Sequence, residues 1–164
     1  MHDSKGAVGF VREVLRLVRA QFPGRVVVGT RMDAAFFQQH MLQLLRREGC
    51  EYAIKVPFWK WVGLKPLVAA CQHWTRIDAA LSYFETTLWL EAWHLELRVV
   101  VYRKRVAHGT RKNFQLDLFS PDDGHFEYSA ITSTTRLVAP VYWQRFRAAQ
   151  RRRRRVHSTA AVAV

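Results

Sequence analysis

The chain has 164 residues, 49% of them hydrophobic and 13% aromatic, which suffices for one domain with a buried core and excludes two ordinary ones. Its formal net charge of +13 points toward a polyanionic partner, but eight arginines, and no acid or lysine, crowd into residues 136–164, leaving 13 − 8 = +5 for the residues before them. Cys50 and Cys71 form no paired motif, so neither a disulfide framework nor a zinc site is signalled, and both are expected as reduced core residues. No uncharged apolar run approaches the ~18 residues of a membrane span, and the first residues lack a secretory layout, so the expectation is a soluble cytoplasmic chain.

In chain order, Val8, Val11, Val14, Leu15 and Val18 recur at helical spacing, with Arg12, Glu13, Arg16 and Arg19 on the other face. Asp3 or Ser4 is placed to cap that helix, and Phe22-Pro23-Gly24 to end it. Residues 25–30 then read as a short strand whose consecutive valines suit burial on both faces of a sheet. A second helix of about four turns follows, with Phe37, Met41, Leu44, Leu45 and Glu48 on one side and Gly49 just past its end. Residues 50–56 form the next strand, stopped by Pro57, and strand–helix–strand implies a parallel βαβ unit. Residues 57–66 make an aromatic loop and residues 64–73 a short helix. From 74 to 132 the pattern is β: residues 95–102 alternate, 114–119 form another strand, and Ser120-Pro121-Asp122-Asp123-Gly124 is a turn. A last helix is expected from Pro140, and the residues after the arginine run show no periodicity.

Asp33 is the first residue with chemical interest. It follows a strand and precedes a helix, so its carboxylate belongs at the carboxyl end of a sheet, where α/β proteins gather ligands and metals. The plainer reading is a cap for the helix that starts at Ala34 or Ala35. Five histidines, His40, His73, His94, His108 and His125, lack metal-ligand spacing and suit surface or loop positions. Trp59, Trp61, Trp74, Trp89 and Trp93 suit either base stacking or core packing. Arg103-Lys104-Arg105, with Arg111 and Lys112, is the better DNA-contact group in the body of the chain, the alternative being a solvated loop.

The stretch Thr30-Arg31-Met32-Asp33-Ala34-Ala35-Phe36-Phe37, a helix, and then Gly49-Cys50-Glu51-Tyr52-Ala53-Ile54-Lys55-Val56 resembles the segment holding the second aspartate of insertion-sequence DDE transposases. That family shows Arg-x-Asp-Ser-(Gly/Ala)-Phe, a helix, then Gly-x-x-Tyr-x-(Ile/Val), and Ala34 stands where its serine would be. His2-Asp3-Ser4-Lys5-Gly6-Ala7, residues 111–119 and residues 128–132 are similar to further parts of the same domain, so the likeness spans residues 2–143. It implies an α/β (α+β) chain: a partial RNase H-like fold over residues 1–143, with a βαβ unit and an antiparallel β-rich insertion at 74–132.

The resemblance also implies magnesium- or manganese-dependent phosphodiester hydrolysis and strand transfer by three carboxylates, with DNA as partner, a possible homodimer and a place at the nucleoid. Only Asp33 matches the triad, as catalytic and metal-binding residue. The first aspartate belongs on strands before the first helix here, and the glutamate on the helix after Tyr142-Trp143, where no acid stands beyond Glu127. The expectation is therefore an inactive, truncated fragment. Residues 144–164, with Arg151, Arg152 and Arg153 in the run, read either as a phosphate-gripping tail or as the product of a shifted reading frame. The alternative function is a non-catalytic nucleic-acid-binding protein that uses that tail.

Overall fold

A computed structural model describes residues 6–22, 27–105 and 126–135 of the chain. The first helix, α1 (Ala7–Gln21), forms where the 3.6-residue periodicity requires it, but it buries only Leu15. Ala7, Val8 and Val11 pack partly against the core, whereas Phe10, Val14 and Leu17 face outward, so the apolar face is narrower than the valine spacing predicts. The reason lies in how α1 is held: it leans on the second helix near its C-terminal end, where Leu15 enters the core and Arg19 pairs with Glu48. That arginine also bonds the Glu48 carbonyl, placing a cation at a helix C-terminus where the macrodipole favours it. The proposed caps Asp3 and Ser4 lie outside the described residues.

The first strand, β1 (Gly29–Met32), lies a few residues later than the valines suggest. Val26 is outside the described residues, Val28 is half-buried against the core, and Val27 is 70% exposed. Burial on both faces is thus wrong. Among the described residues β1 pairs with one strand only and stands at the edge of the sheet, so its residues alternate between exposed and half-buried. Met32 turns inward onto the core and Arg31 outward.

After β1 the chain makes a 3-10 turn, Ala34–Phe36, before α2 (Gln39–Arg47) begins. The expected four-turn helix is therefore split, because Phe37 and Gln38 leave helical geometry and the Phe37 ring enters the core. Met41, Leu42, Leu44 and Leu45 are buried along α2, each contributing roughly 1.5–3 kcal/mol of apolar burial. The helix ends as predicted at Gly49, with φ of 61°. There the Cys50 amide donates to the Leu45 carbonyl (2.9 Å) and the Gly49 amide to that of Arg46 (3.1 Å), the paired bonds of a Schellman motif. Cys50 and Leu45 both sit in the core behind it.

The chain then enters β2 (Glu51–Val56), parallel to β1 with Thr30 opposite Tyr52 and Met32 opposite Ile54. The predicted parallel βαβ unit is present. A 3-10 turn (Lys60–Val62) and α3 (Leu64–Ala70) follow, then β3 (Thr75–Arg76), β4 (Leu81–Leu90), β5 (Leu95–Arg105) and β6 (Phe126–Ser133). All pairings among β3 to β6 are antiparallel. The strand expected at 114–119, the turn at 120–124 and the helix from Pro140 lie outside the described residues.

Among the described residues the result is a mixed α+β structure with three α-helices and one six-stranded sheet in the order β1-β2-β6-β5-β4-β3. The β-rich region joins the βαβ unit in that sheet, because β6 lies antiparallel beside β2, with Ile54 opposite Thr132. The main core, with Tyr52, Ile54 and Val56 against Leu97, Val99, Val101 and Ala130, takes in Leu15 of α1, Met41, Leu42 and Leu45 of α2, and Leu64 and Val68 of α3. A smaller cluster of Ala53, Val100, Tyr102, Ile131 and Leu81 lies on the other face, as period-two alternation requires. Among the described residues no helix is long and apolar enough to cross a membrane.

Candidate functional site

Asp33 stands immediately after β1, in extended backbone at the N-terminus of the 3-10 turn. Its side chain is exposed, and its Oδ1 accepts the Ala34 amide at 2.7 Å. Asp33 therefore caps the 3-10 turn at Ala34, whereas the α-helix it was expected to cap starts only at Gln39, with Gln38 before it. Among the described residues, no three His, Cys, Asp or Glu side chains come together in a way that would hold a metal ion.

Because β5 runs in the same direction as β1 and β2, its carboxyl end lies at the same end of the sheet as Asp33. There Arg103, Lys104 and Arg105 close β5, separated from β1 by two strands, β2 and β6. They are not equivalent. Lys104 lies opposite Glu127 and Leu81 on one face of the sheet. Arg103 and Arg105 share the other. The Arg103 guanidinium is half-buried, 4.4 Å from the Trp74 ring centre and 4.9 Å from that of Phe126, and Arg105 lies 5.8 Å from Phe126. Cation–π contacts of this kind hold an arginine in place without a carboxylate. The Arg103 Nε is buried without a hydrogen-bond partner. The other predicted DNA-contact residues, Arg111, Lys112, Arg151, Arg152 and Arg153, lie outside the described residues.

A third feature was legible in the sequence only as scattered tryptophans. Buried Phe37 stacks on Trp93 (ring centres 5.1 Å apart), Trp93 meets Trp61 edge-on (5.0 Å), and Trp61 meets Trp59 (5.9 Å). The row runs from the core to solvent: Trp93 is half-buried, whereas Trp59 and Trp61 are each 48% exposed. The Gln39 side chain donates to the Trp93 carbonyl (3.4 Å), tying the turn between β4 and β5 to the start of α2. Phe37 closes the 3-10 turn that Asp33 opens, and Trp59 follows the carboxyl end of β2, so the row lies at the same end of the β1–β2 pair as Asp33. Trp74 packs instead against Phe84 and Tyr128, and Trp89 is exposed with its indole donating to Glu91.

No family model, curated protein or solved structure matches this chain. The reading of the site consequently stands on its own residues. Of the histidines, His40, His73 and His94 are exposed, as expected of surface residues, and His108 and His125 lie outside the described residues. Cys50 is buried, and desolvation pushes its thiol pKa up, opposed by nearby Arg19 and reinforced by Glu48. Cys71 departs from the expectation of a core cysteine: it follows the last turn of α3, is only half-buried, and donates to the His73 carbonyl (3.2 Å).

Proposed function

We propose that residues 2–143 correspond to the central and later part of a DDE transposase domain of the RNase H-like type, and that the chain alone does not cleave DNA. The observation that carries this reading is the position of Asp33 at the carboxyl end of an edge strand that opens a parallel βαβ unit. In such a domain, carboxylates converging at that place hold two divalent ions, which activate a water or a DNA 3′-hydroxyl and stabilise the leaving oxygen. Among the described residues no three carboxylate, imidazole or thiol side chains converge as that pair of ions would need, and one oxygen of Asp33 already accepts the Ala34 amide. No catalytic step is therefore assigned to this chain. Asp33 starts the 3-10 turn and presents one negative charge; the residues of β5 supply positive charge at the same end of the sheet.

Nicking of supercoiled DNA with magnesium or manganese tests the claim, using the whole chain and Asp33→Asn. Asparagine accepts the same bond from the Ala34 amide, so this variant removes the charge and leaves the cap. Neither protein is expected to nick DNA. Metal-dependent nicking that disappears in Asp33→Asn would overturn the inactive reading. The family reading is tested separately on the gene. Upstream DNA should encode strands bearing an aspartate, and the DNA for residues 144–164 should encode, in another frame, a helix carrying a glutamate. Finding neither would overturn it.

The runner-up is a non-catalytic nucleic-acid-binding protein, favoured by the eight arginines and absent acids of residues 136–164. It requires retention on DNA that weakens steeply with salt, without cleavage.

A further inference from the structure

We infer that Trp59 and Trp61 form a stacking platform for unpaired bases of single-stranded DNA. This rests on the reading of DNA as the partner and adds the form of DNA and the residues that would take it. Two indoles half exposed side by side are an unusual use of the largest apolar side chains, since burial would ordinarily claim both. They are also held firmly from behind. Trp61 rests on Trp93, which rests on Phe37 in the core, so the outer rings keep their attitude in the absence of a ligand.

A cation suited to a phosphodiester chain lies at the platform itself: residues 57–70, the loop and short helix that carry both tryptophans, contain two lysines, Lys60 and Lys65, and no acid. Exposed Lys60 lies between the two tryptophans in the chain, in the same 3-10 turn as Trp61. Aromatic rings that stack on bases, beside cations that meet the backbone, are the physical basis of sequence-tolerant single-strand binding. A base pair hides both faces of its bases in the duplex stack, so the platform discriminates against double-stranded DNA.

The test measures anisotropy of labelled oligo-dT, of the same length in oligo-U, and of a matching DNA duplex, with the full chain and its Trp59→Ala, Trp61→Ala and Trp89→Ala variants. Trp89 is similarly exposed but stands apart from the row, and so controls for loss of any surface indole. Trp59 meets the row at Trp61, its outer end, so Trp59→Ala remains informative if Trp61→Ala weakens the fold. The expected result is a loss of roughly tenfold in oligo-dT affinity for each platform variant, given the usual strength of base–aromatic stacking. Duplex affinity should stay within about twofold, and Trp89→Ala should match the wild type.

Unchanged oligo-dT affinity in Trp59→Ala and Trp61→Ala overturns the inference, as does an equal loss on the duplex. Tighter binding of oligo-U than oligo-dT would overturn DNA as the source of the bases. A dimer that dissociates in Trp59→Ala, with oligo-dT affinity unchanged, would overturn it in favour of self-association. Duplex binding without any effect of the tryptophans sinks only this inference, whereas a wild-type chain that binds no DNA sinks the parent reading too.

Discussion

Gly49→Ala and Gly29→Ala form a matched pair that isolates the backbone of the turn between α2 and β2. A Cβ added at either position would meet nothing within 4 Å, so neither substitution creates a clash. They differ in conformation: Gly49 has φ of 61°, whereas Gly29 is not in the left-handed region. An L-residue held left-handed costs about 1–2 kcal/mol, and relaxing it would break the Gly49 and Cys50 bonds that close the helix. Alanine also narrows the unfolded ensemble, which returns about 0.4–1 kcal/mol at both sites. The net expectation is a loss of up to about 1 kcal/mol for Gly49→Ala and a small gain for Gly29→Ala, a spread of about 1–2 kcal/mol because the unfolded-state gain is common to both. Urea unfolding followed by tryptophan fluorescence reads this as midpoints moving in opposite directions with an unchanged slope. Gly49→Asn should fall between Gly49→Ala and the wild type, because asparagine tolerates the left-handed region better. Equal midpoints for the two alanine variants would refute the assignment of Gly49 as the conformational stop of α2.

Adjacent residues in β6 should respond in opposite senses. The buried Thr132 hydroxyl has no hydrogen-bond partner, so Thr132→Val should raise stability by roughly 1 kcal/mol in the same urea assay. The Ser133 hydroxyl donates to the Tyr52 carbonyl (2.7 Å) and accepts from the Thr135 amide (3.1 Å), so Ser133→Ala should cost roughly 1 kcal/mol. At mildly alkaline pH a thiol reagent should modify Cys71 first and reach Cys50 only on unfolding, read by mass spectrometry after timed labelling. Because burial raises the Cys50 pKa in the folded state, its neutral thiol contributes stability fully below the ordinary cysteine range. That contribution should fall as pH rises through and above that range, and Cys50→Ala should flatten the alkaline limb.

Local sequence was enough to determine α1, the glycine stop of α2, β2 ending at Pro57 and the alternation of β5, because each depends on residues within a turn or two, whereas the split before α2 came from Phe37 entering the core. Parallel pairing of β1 with β2 was legible for the same reason: a helix between two short strands leaves few other arrangements. Tertiary structure decided what depends on distant partners. Three valines in a row say nothing about which strand stands at a sheet edge, so Val27 is exposed where burial was expected. Nothing near Val56 announces that Ala130 will lie opposite it, which is what joins the antiparallel strands to the βαβ unit. The Arg103 contacts with Trp74 and Phe126 link residues more than twenty positions apart, and so does the row from Phe37 to Trp93 and Trp61. Side chains that meet only after the sheet forms leave no periodic trace in the chain, so the aromatic loop of Trp59 and Trp61 was legible while its backing by Trp93 and Phe37 came from packing alone.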